Sequence, residues 1–599
     1  MIYKPTDKSF KNPIGAVQEG TDITIKINGN FDNVILICIE DKTLFERKFF
    51  PIKEDNKFVF NIDLPVGLYW YKFDLCNGLF VGADNNSEGI ITDKPNSFQL
   101  SVYSSDFSVP NWLAGGIIYQ IFPDRFFSLS ENKNIEKNKI LHKNKSDLPI
   151  FLPNENGEIL NNDFFGGDIK GIINKLPYLA RLGVSAIYLN PIFKAYSNHR
   201  YDTGDYYKID NLLGDEEDFD LLISESDKFG IKIILDGVFN HTGDDSVYFN
   251  KYNNYNSIGA YNSEQSPYYN WFTFDNYPNN YSSWWGIKTL PTTNKNNSDF
   301  INFITGENGV LSYWTKKGVG GWRLDVVDEL PSHFVKEIRK SIKKIDKNAI
   351  IIGEVWEDAS NKISYGVRRE YFLGKELDSV MNYPVKNAII DFVKNKNCKN
   401  LARIILEQID RYPRNVLHNL MNMLSTHDTF RILSALSDEQ VYGKTQQEMS
   451  EIKLSGKDLE NAIFRLKCAT LLQYTLCGVP SIYYGDEAGV EGFKDPLNRK
   501  YFPWENINKE IQDWYIKLGE IRTSYSAFAY GDYCEIYAKE GLFVYKRQAE
   551  DSELLIVVNL GDKEANLRYD GTLIDLLNND KYKDYIPVKS NFLGIFICD

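Results

Sequence analysis

The sequence predicts an α/β protein built on a (β/α)8 TIM barrel, with an N-terminal and a C-terminal β-sandwich and an inserted loop domain after the third barrel strand. Three observations predict it. Short β-rich runs without helical period occupy both ends of the 599-residue chain. Between them, apolar strand, loop and amphipathic helix alternate, the signature of βα units around a parallel sheet. Eight such strands are counted, the number that closes a barrel of this kind.

Residues 1–105 supply DITIKI, NVILICIE, KFVFNIDL and GLYWYKFDL, separated by Asn, Gly and Asp turns, which reads as a sandwich. The barrel is assigned to 112–514. Its first three strands fall in GIIYQIFP at 116, VSAIYLNP at 184 and IKIILDGVFNH at 231, with helices in GIINKLPYLARLG at 171 and DEEDFDLLISESDKFG at 215. Strands four to eight fall in GWRLDVVD at 321, AIIIGEVW at 349, DSVMNY at 378, NLMNMLSTHD at 419 and VPSIYYGDE at 479. Residues 242–300, rich in Asn, Tyr and Trp, exceed ordinary loop length and are assigned as a functional excursion. Residues 515–599 return to short β runs (GLFVYKR, SELLIVVNL, GIFICD) and form the second sandwich.

The bulk numbers narrow the function classes. A net charge of −14 repels phosphate backbones and anionic membranes, so neither nucleic acid nor a membrane is an expected partner. No 18-residue apolar run and no leader-like N-terminus are present, which gives a cytoplasmic expectation. The seven cysteines are odd in number and contain no C-x-x-C pair, so neither a disulfide framework nor a zinc site is indicated.

Polar residues recur where barrel strands end, the face on which active sites of this architecture lie. Strand three ends in Asp236, Asn240 and His241, strand four carries Arg323 and Asp325, strand five ends at Glu354, and strand seven ends in His427 and Asp428. A single acid at a strand end is usually a cap or a surface ion pair; four successive ones are not. Cleavage of a glycosidic bond needs one carboxyl to protonate the leaving oxygen and another to meet the anomeric carbon. Asp325 and Glu354, on neighbouring strands, permit the roughly 5–5.5 Å separation of a retaining pair. Arg323, two residues before Asp325 on the same face, favours its ionised form, and Val355 and Trp356 supply a partly apolar setting in which Glu354 holds a proton. His241, His427 and His199 are candidates for hydrogen bonds to sugar hydroxyls. No H-E-x-x-H or other close ligand spacing is found, so no metal site is assigned.

These segments resemble glycoside hydrolase family 13, the α-amylase family, over essentially the whole chain. The family's four short regions are matched by DGVFNH at 236–241, GWRLDVVDE at 321–329, GEVW at 353–356 and STHDT at 425–429. YQIFPDRF at 119–126, FFGGDIKGI at 164–172, SNHRYDTGDYYKID at 197–210 and KTLPTTN at 288–294 support the match. The resemblance implies Asp325 as nucleophile, Glu354 as general acid/base and Asp428 as the carboxylate gripping the sugar at subsite −1. Arg323, His241 and His427 would line that subsite, with Tyr201 stacked beneath the ring and Asp236 mainly architectural. Asp495 and Arg499 in DPLNRKYFPW would hold sugars beyond it; Glu329 and Trp356 would face the acceptor.

The pattern is most similar to neopullulanases, cyclomaltodextrinases, maltogenic amylases and amylopullulanases, whose N-terminal sandwich resembles a carbohydrate-binding module. Asp328 stands where many of them have Asn. The group commonly holds calcium near a Gly-Gly-Asp segment; Gly166, Gly167 and Asp168 are present, but FFSLSENKN at 126–134 lacks the expected Asp residues, so no cofactor is expected to be required and bound calcium is left open. Related members dimerise through the N-terminal sandwich, leaving monomer and homodimer both open.

The resulting expectation is a retaining hydrolase of α-1,4-glucosidic bonds in maltooligosaccharides, cyclodextrins or pullulan, with α-1,6 cleavage also within range. A glucan transferase is the alternative, because a sugar can intercept the same glycosyl-enzyme intermediate. A non-catalytic glucan-binding protein is a third reading, set against three intact acids.

Overall fold

A computed structural model describes residues 1–130, 133 and 135–598. Eight parallel strands form the central sheet: β1 (Ile118–Ile121), β2 (Ala186–Leu189), β3 (Lys232–Gly237), β4 (Gly321–Leu324), β5 (Ile350–Gly353), β6 (Ser379–Val380), β7 (Met421–Met423) and β8 (Val479–Tyr483). Each pairs with its neighbour in sequence, β8 pairs with β1, and a bridge between Met381 and Met421 joins the β6 and β7 edges. The barrel is nearly closed.

Side chains alternate across each strand. Ile118, Ala186, Ile234, Ile350, Met421 and Val479 fill the interior, while Ile187, Ile233, Trp322 and Ile351 pack outward beneath the helices. Two residues along the same inward faces come Gln120, Tyr188, Asp236 and Arg323. This change from apolar to polar marks the floor of the site. Outer helices form where one stripe is apolar: Ser332–Ile345 buries Phe334, Val335, Ile338, Ser341 and Ile342, and Asp215 caps Glu216–Asp227 by accepting from the Asp218 N–H.

Two excursions rise over the floor. One follows β2 as the hairpin Phe193–Ala195/Thr203–Ile209, whose turn carries His199 and Tyr201. The other follows β3 and is bridged to itself and the strand end by His241–Thr292, Phe272–Thr293 and Ser283–Pro291. Helix Ser298–Thr305 takes the last three residues of the excursion expected over 242–300, because Asn297 caps it from outside.

The N-terminal segment is a sandwich of a four-stranded and a seven-stranded sheet. Ile23, Ile25 and Ile27 from one face meet Leu36, Tyr71 and Phe98 from the other. A buried Lys11–Asp410 ion pair at 2.7 Å ties it to the barrel. The C-terminal segment, expected as a second sandwich, is hydrogen-bonded as one continuous six-stranded antiparallel sheet whose central strands are covered on both faces. The boundary expected at 514/515 falls inside helix Lys509–Ser524, which packs against helix Gly456–Thr475 and the turn after β8; the sheet begins at Asp532. No described helix is long and apolar enough to cross a membrane.

Candidate active site

One guanidinium organises the floor. Trp322 and Leu324 point outward into the core, so Arg323 between them points inward, where it is 1% exposed. Its Nη1 donates to Asp236 Oδ1 at 2.9 Å and to Asp325 Oδ1 at 2.8 Å, and its Nη2 lies 2.7 Å from Glu354 Oε2. Carboxyls from β3, β4 and β5 therefore meet around one cation. Asp325 and Glu354 are separated by no more than the width of that fork and two hydrogen bonds, so both carboxyls line one small space.

Three carboxyls and one cation cannot all be ionised cheaply in a buried site. Burial pushes the Asp325 carboxyl well above the usual range, Glu354 and Asp236 add to the rise, and Arg323 opposes it. Asp236 is likewise raised by burial, against Arg323, Tyr188 and Tyr201. Glu354 Oε2 accepts from the Val326 N–H at 2.8 Å, and Oε1 accepts from Trp356 Nε1 at 3.1 Å, so Trp356, expected as part of an apolar setting, meets the carboxyl through its N–H.

A relay leads from this cluster to Asp428. The Tyr201 hydroxyl donates to Asp236 Oδ2 at 2.8 Å and lies 2.6 Å from His427 Nε2, and Tyr188 adds a second bond to Asp236 at 2.6 Å. Gln120 Nε2 donates to His427 Nδ1 at 2.9 Å, which assigns the imidazole proton to Nε2. Burial and the nearby Arg499 and Arg323 drive the His427 pKa far down, so the ring is neutral. His427 Nε2 is also 3.1 Å from Asp428 Oδ2. Asp428 keeps 34% of its side chain open to the cleft, and the walls raise its carboxyl while Arg499 and Arg323 oppose them. Arg499 reaches Asp428 at 3.5 Å and Asp495 at 2.9 Å and donates to the His427 carbonyl.

The other two histidines singled out in the sequence, His199 and His241, are neutral. His199 accepts the Tyr201 N–H at Nδ1, and burial with Arg499, His427, Arg200 and His241 nearby lowers its pKa well below the ordinary value. His241 is lowered to about 3 by burial and Lys295; it stacks on Trp284, and its Nε2 is buried with no hydrogen-bond partner. A sugar hydroxyl would satisfy that atom.

Of the residues expected to face an acceptor, Glu329 Oε1 accepts from Tyr365 Oη at 2.5 Å and meets Trp285 Nε1 at 3.4 Å. Trp356 stacks on Tyr383 with ring centres 3.9 Å apart. Asp328 faces away, toward Tyr371 Oη and the Lys362 ammonium at 3.2 Å, so its departure from Asn serves the wall rather than the cleft.

The Gly-Gly-Asp segment does not fit a calcium ion. Asp168 Oδ1 accepts from the Gly171 N–H, Oδ2 accepts from the Ser130 N–H, and the Lys133 ammonium lies 3.0 Å from Oδ2 while also donating to the Leu212 carbonyl. An ammonium already stands where a cation would need that carboxylate. Part of the 126–134 segment lies outside the described residues.

Gln120, Tyr188, Trp284, Trp285, Tyr365 and Tyr383 escaped the sequence reading. Gln120 gave a signal, a polar residue inside an apolar strand. Tyr188 and Tyr383 gave none, since rings in apolar runs are usually core, while Trp284 and Trp285 lie in the Trp-rich excursion over 242–300.

Residues 120–527 match the family described as "Alpha amylase, catalytic domain". The chain is 36% identical to an amylopullulanase of Thermoanaerobacter thermohydrosulfuricus over 93% of its own length and 42% of the relative's. It is 33% identical to a cyclomaltodextrinase of Thermoanaerobacter pseudethanolicus, over 76% of this chain and 72% of that one. Among solved structures it is similar to the type III pullulan hydrolase from Thermococcus kodakarensis, with a TM-score of 0.70, 26% identity and full coverage of both chains. The chain thus spans about half or less of the amylopullulanases it matches.

Proposed function

Because the chain belongs to the α-amylase family of glycoside hydrolases, we propose that it is a retaining hydrolase of α-1,4-glucosidic bonds in maltooligosaccharides, cyclodextrins or pullulan, with α-1,6 bonds also within range. The observation that carries this reading is the sharing of the Arg323 guanidinium by Asp325 and Glu354.

Each step follows from the atoms around that cation. Glu354 gives its proton to the glycosidic oxygen as the bond to the anomeric carbon breaks, and Asp325 bonds to that carbon. Glu354, now a carboxylate, takes a proton from water, whose oxygen displaces Asp325 and restores both groups. Arg323 favours Asp325 as a carboxylate, the form that attacks, while Glu354 enters the reaction as the acid. The neutral Nε2–H of His427, the Asp428 carboxylate and Arg499 are placed to hold hydroxyls of the sugar under attack, and Asp495 the sugars beyond it.

Transfer to a sugar in place of water is the second reading, favoured by the aromatic acceptor wall of Trp285, Trp356 and Tyr365. The unpaired thiols fit a cytoplasmic setting, and Leu44, Phe45, Phe50 and Ile52, exposed on the N-terminal sandwich, support a homodimer through that domain. Product analysis on pullulan tests the function: panose, isopanose and maltotriose report different cleaved bonds. Equal activity of wild type and Asp325→Asn on maltotriose would remove Asp325 from the mechanism.

A further inference from the structure

We propose that the N-terminal sandwich sets acceptor-side selectivity within the same chain, by holding the hairpin Ile363–Arg368 where Tyr365 reaches Glu329. This deepens the proposed function and rests on it.

The hairpin cannot hold itself. Its strands, Ile363–Ser364 and Val367–Arg368, are two residues each, joined by Tyr365 and Gly366 at φ 51° and 75°. So short a two-stranded ribbon is not stable alone, and Ile363, Tyr365 and Val367 are 56%, 73% and 55% exposed, so no core anchors it. Its anchors are polar. On the barrel side Lys362 pairs with Asp328, and Ser364 Oγ donates to the Asp328 carbonyl at 2.9 Å.

Arg369, the residue after the hairpin, donates to the Val327, Asp328 and Leu330 carbonyls, and further anchors come from the sandwich. Arg368 meets Asp41 with two parallel bonds, Nε to Oδ2 at 2.8 Å and Nη2 to Oδ1 at 2.9 Å. Trp70 Nε1 donates to the same Asp41 carboxylate at 2.7 Å, fixing it from behind. Gln99, 3% exposed in the strand Phe98–Tyr103, donates to Ser360 Oγ at 3.0 Å and accepts from Asn361 Nδ2 at 2.7 Å. A buried glutamine facing out of a sandwich is costly without partners, and these two lie at the root of the hairpin. Bidentate guanidinium–carboxylate geometry fixes orientation as well as distance. The far end of the ribbon presents Tyr365 Oη to Glu329, which also meets Trp285 Nε1 and is expected to face the acceptor.

Asp41→Asn keeps the shape and removes the charge that Arg368 grips. Wild type, Asp41→Asn, Tyr365→Phe and the double variant are compared on p-nitrophenyl α-maltoside for kcat and on maltotriose for KM and the ratio of transfer to hydrolysis. For Asp41→Asn we expect kcat on the aryl maltoside within about twofold of wild type, with maltotriose KM and the transfer ratio shifted about threefold or more. Tyr365→Phe shifts both in the same direction, and the double variant goes no further than the larger single effect, because both act through one contact. A wild-type KM and transfer ratio in Asp41→Asn, additive effects in the double variant, or an equal loss on both substrates would overturn the inference. Absence of wild-type turnover on either substrate would instead overturn the proposed function, and the inference with it.

Discussion

Replacing Arg323 by Met removes one charge and leaves Asp236, Asp325 and Glu354 facing one another. The guanidinium is 1% exposed and the three carboxyl residues no more than 6%. Removing one partner of a buried ion pair costs about 3–5 kcal/mol when the other stays charged. Here the survivors can take up protons, so the cost depends on pH. Arg323 opposes the rise of Asp325 and Asp236, so without it their folded pKa values climb further above the unfolded value of about 4. Within that window the folded variant binds more protons than the unfolded chain, and stability falls as pH rises, by about 1.4 kcal/mol per pH unit for each extra proton. Denaturant midpoints at pH 5.5 and pH 8 measure it. The variant should lose about 3–5 kcal/mol relative to wild type at pH 8 and distinctly less at pH 5.5. A deficit equal at both pH values, or none, would refute the shared-cation reading.

Because burial and like charge raise Asp325 and only its carboxylate attacks, the acid limb of kcat/KM should lie above the ordinary aspartate range; a limb below about pH 4 contradicts this. Glu354→Gln should release a burst of nitrophenol from an aryl α-maltoside, whose leaving group needs no proton, and then turn over slowly for want of a base; full steady-state activity would remove Glu354 as acid/base. Tyr201→Phe removes the hydroxyl between Asp236 and His427 and should lower kcat/KM about 10- to 100-fold, the worth of charged hydrogen bonds; a loss under threefold would show the relay to be dispensable. Chelator should leave the thermal midpoint unchanged because Lys133 already neutralises Asp168, and a drop of several degrees would contradict that assignment.

The strand ends were legible because catalytic groups there break long apolar runs: DVVD after GWRL and GEVW after AIII stand out against Val, Ile and Leu. Arg323 was legible as a partner of Asp325 through the period-2 rule, but not as a partner of Glu354 and Asp236, since strand register is a long-range fact. Val355 and Trp356 look apolar in sequence, while the fold turns the indole N–H toward the Glu354 carboxyl. Tyr188 and Tyr383 sit in runs such as SAIYLNP and VMNYP that read equally well as core. Tyr365 gave no signal, because its importance comes from Asp41 and Gln99, more than 260 residues away in the chain.

The central claim, that Asp325 attacks the anomeric carbon, is tested most directly by where the sugar becomes attached. Acid quench of Glu354→Gln during the burst on an aryl α-maltoside, followed by digestion and mass spectrometry, should find one maltosyl unit on the peptide containing Asp325. A maltosyl group on any other residue, or a burst with no labelled peptide, would contradict it.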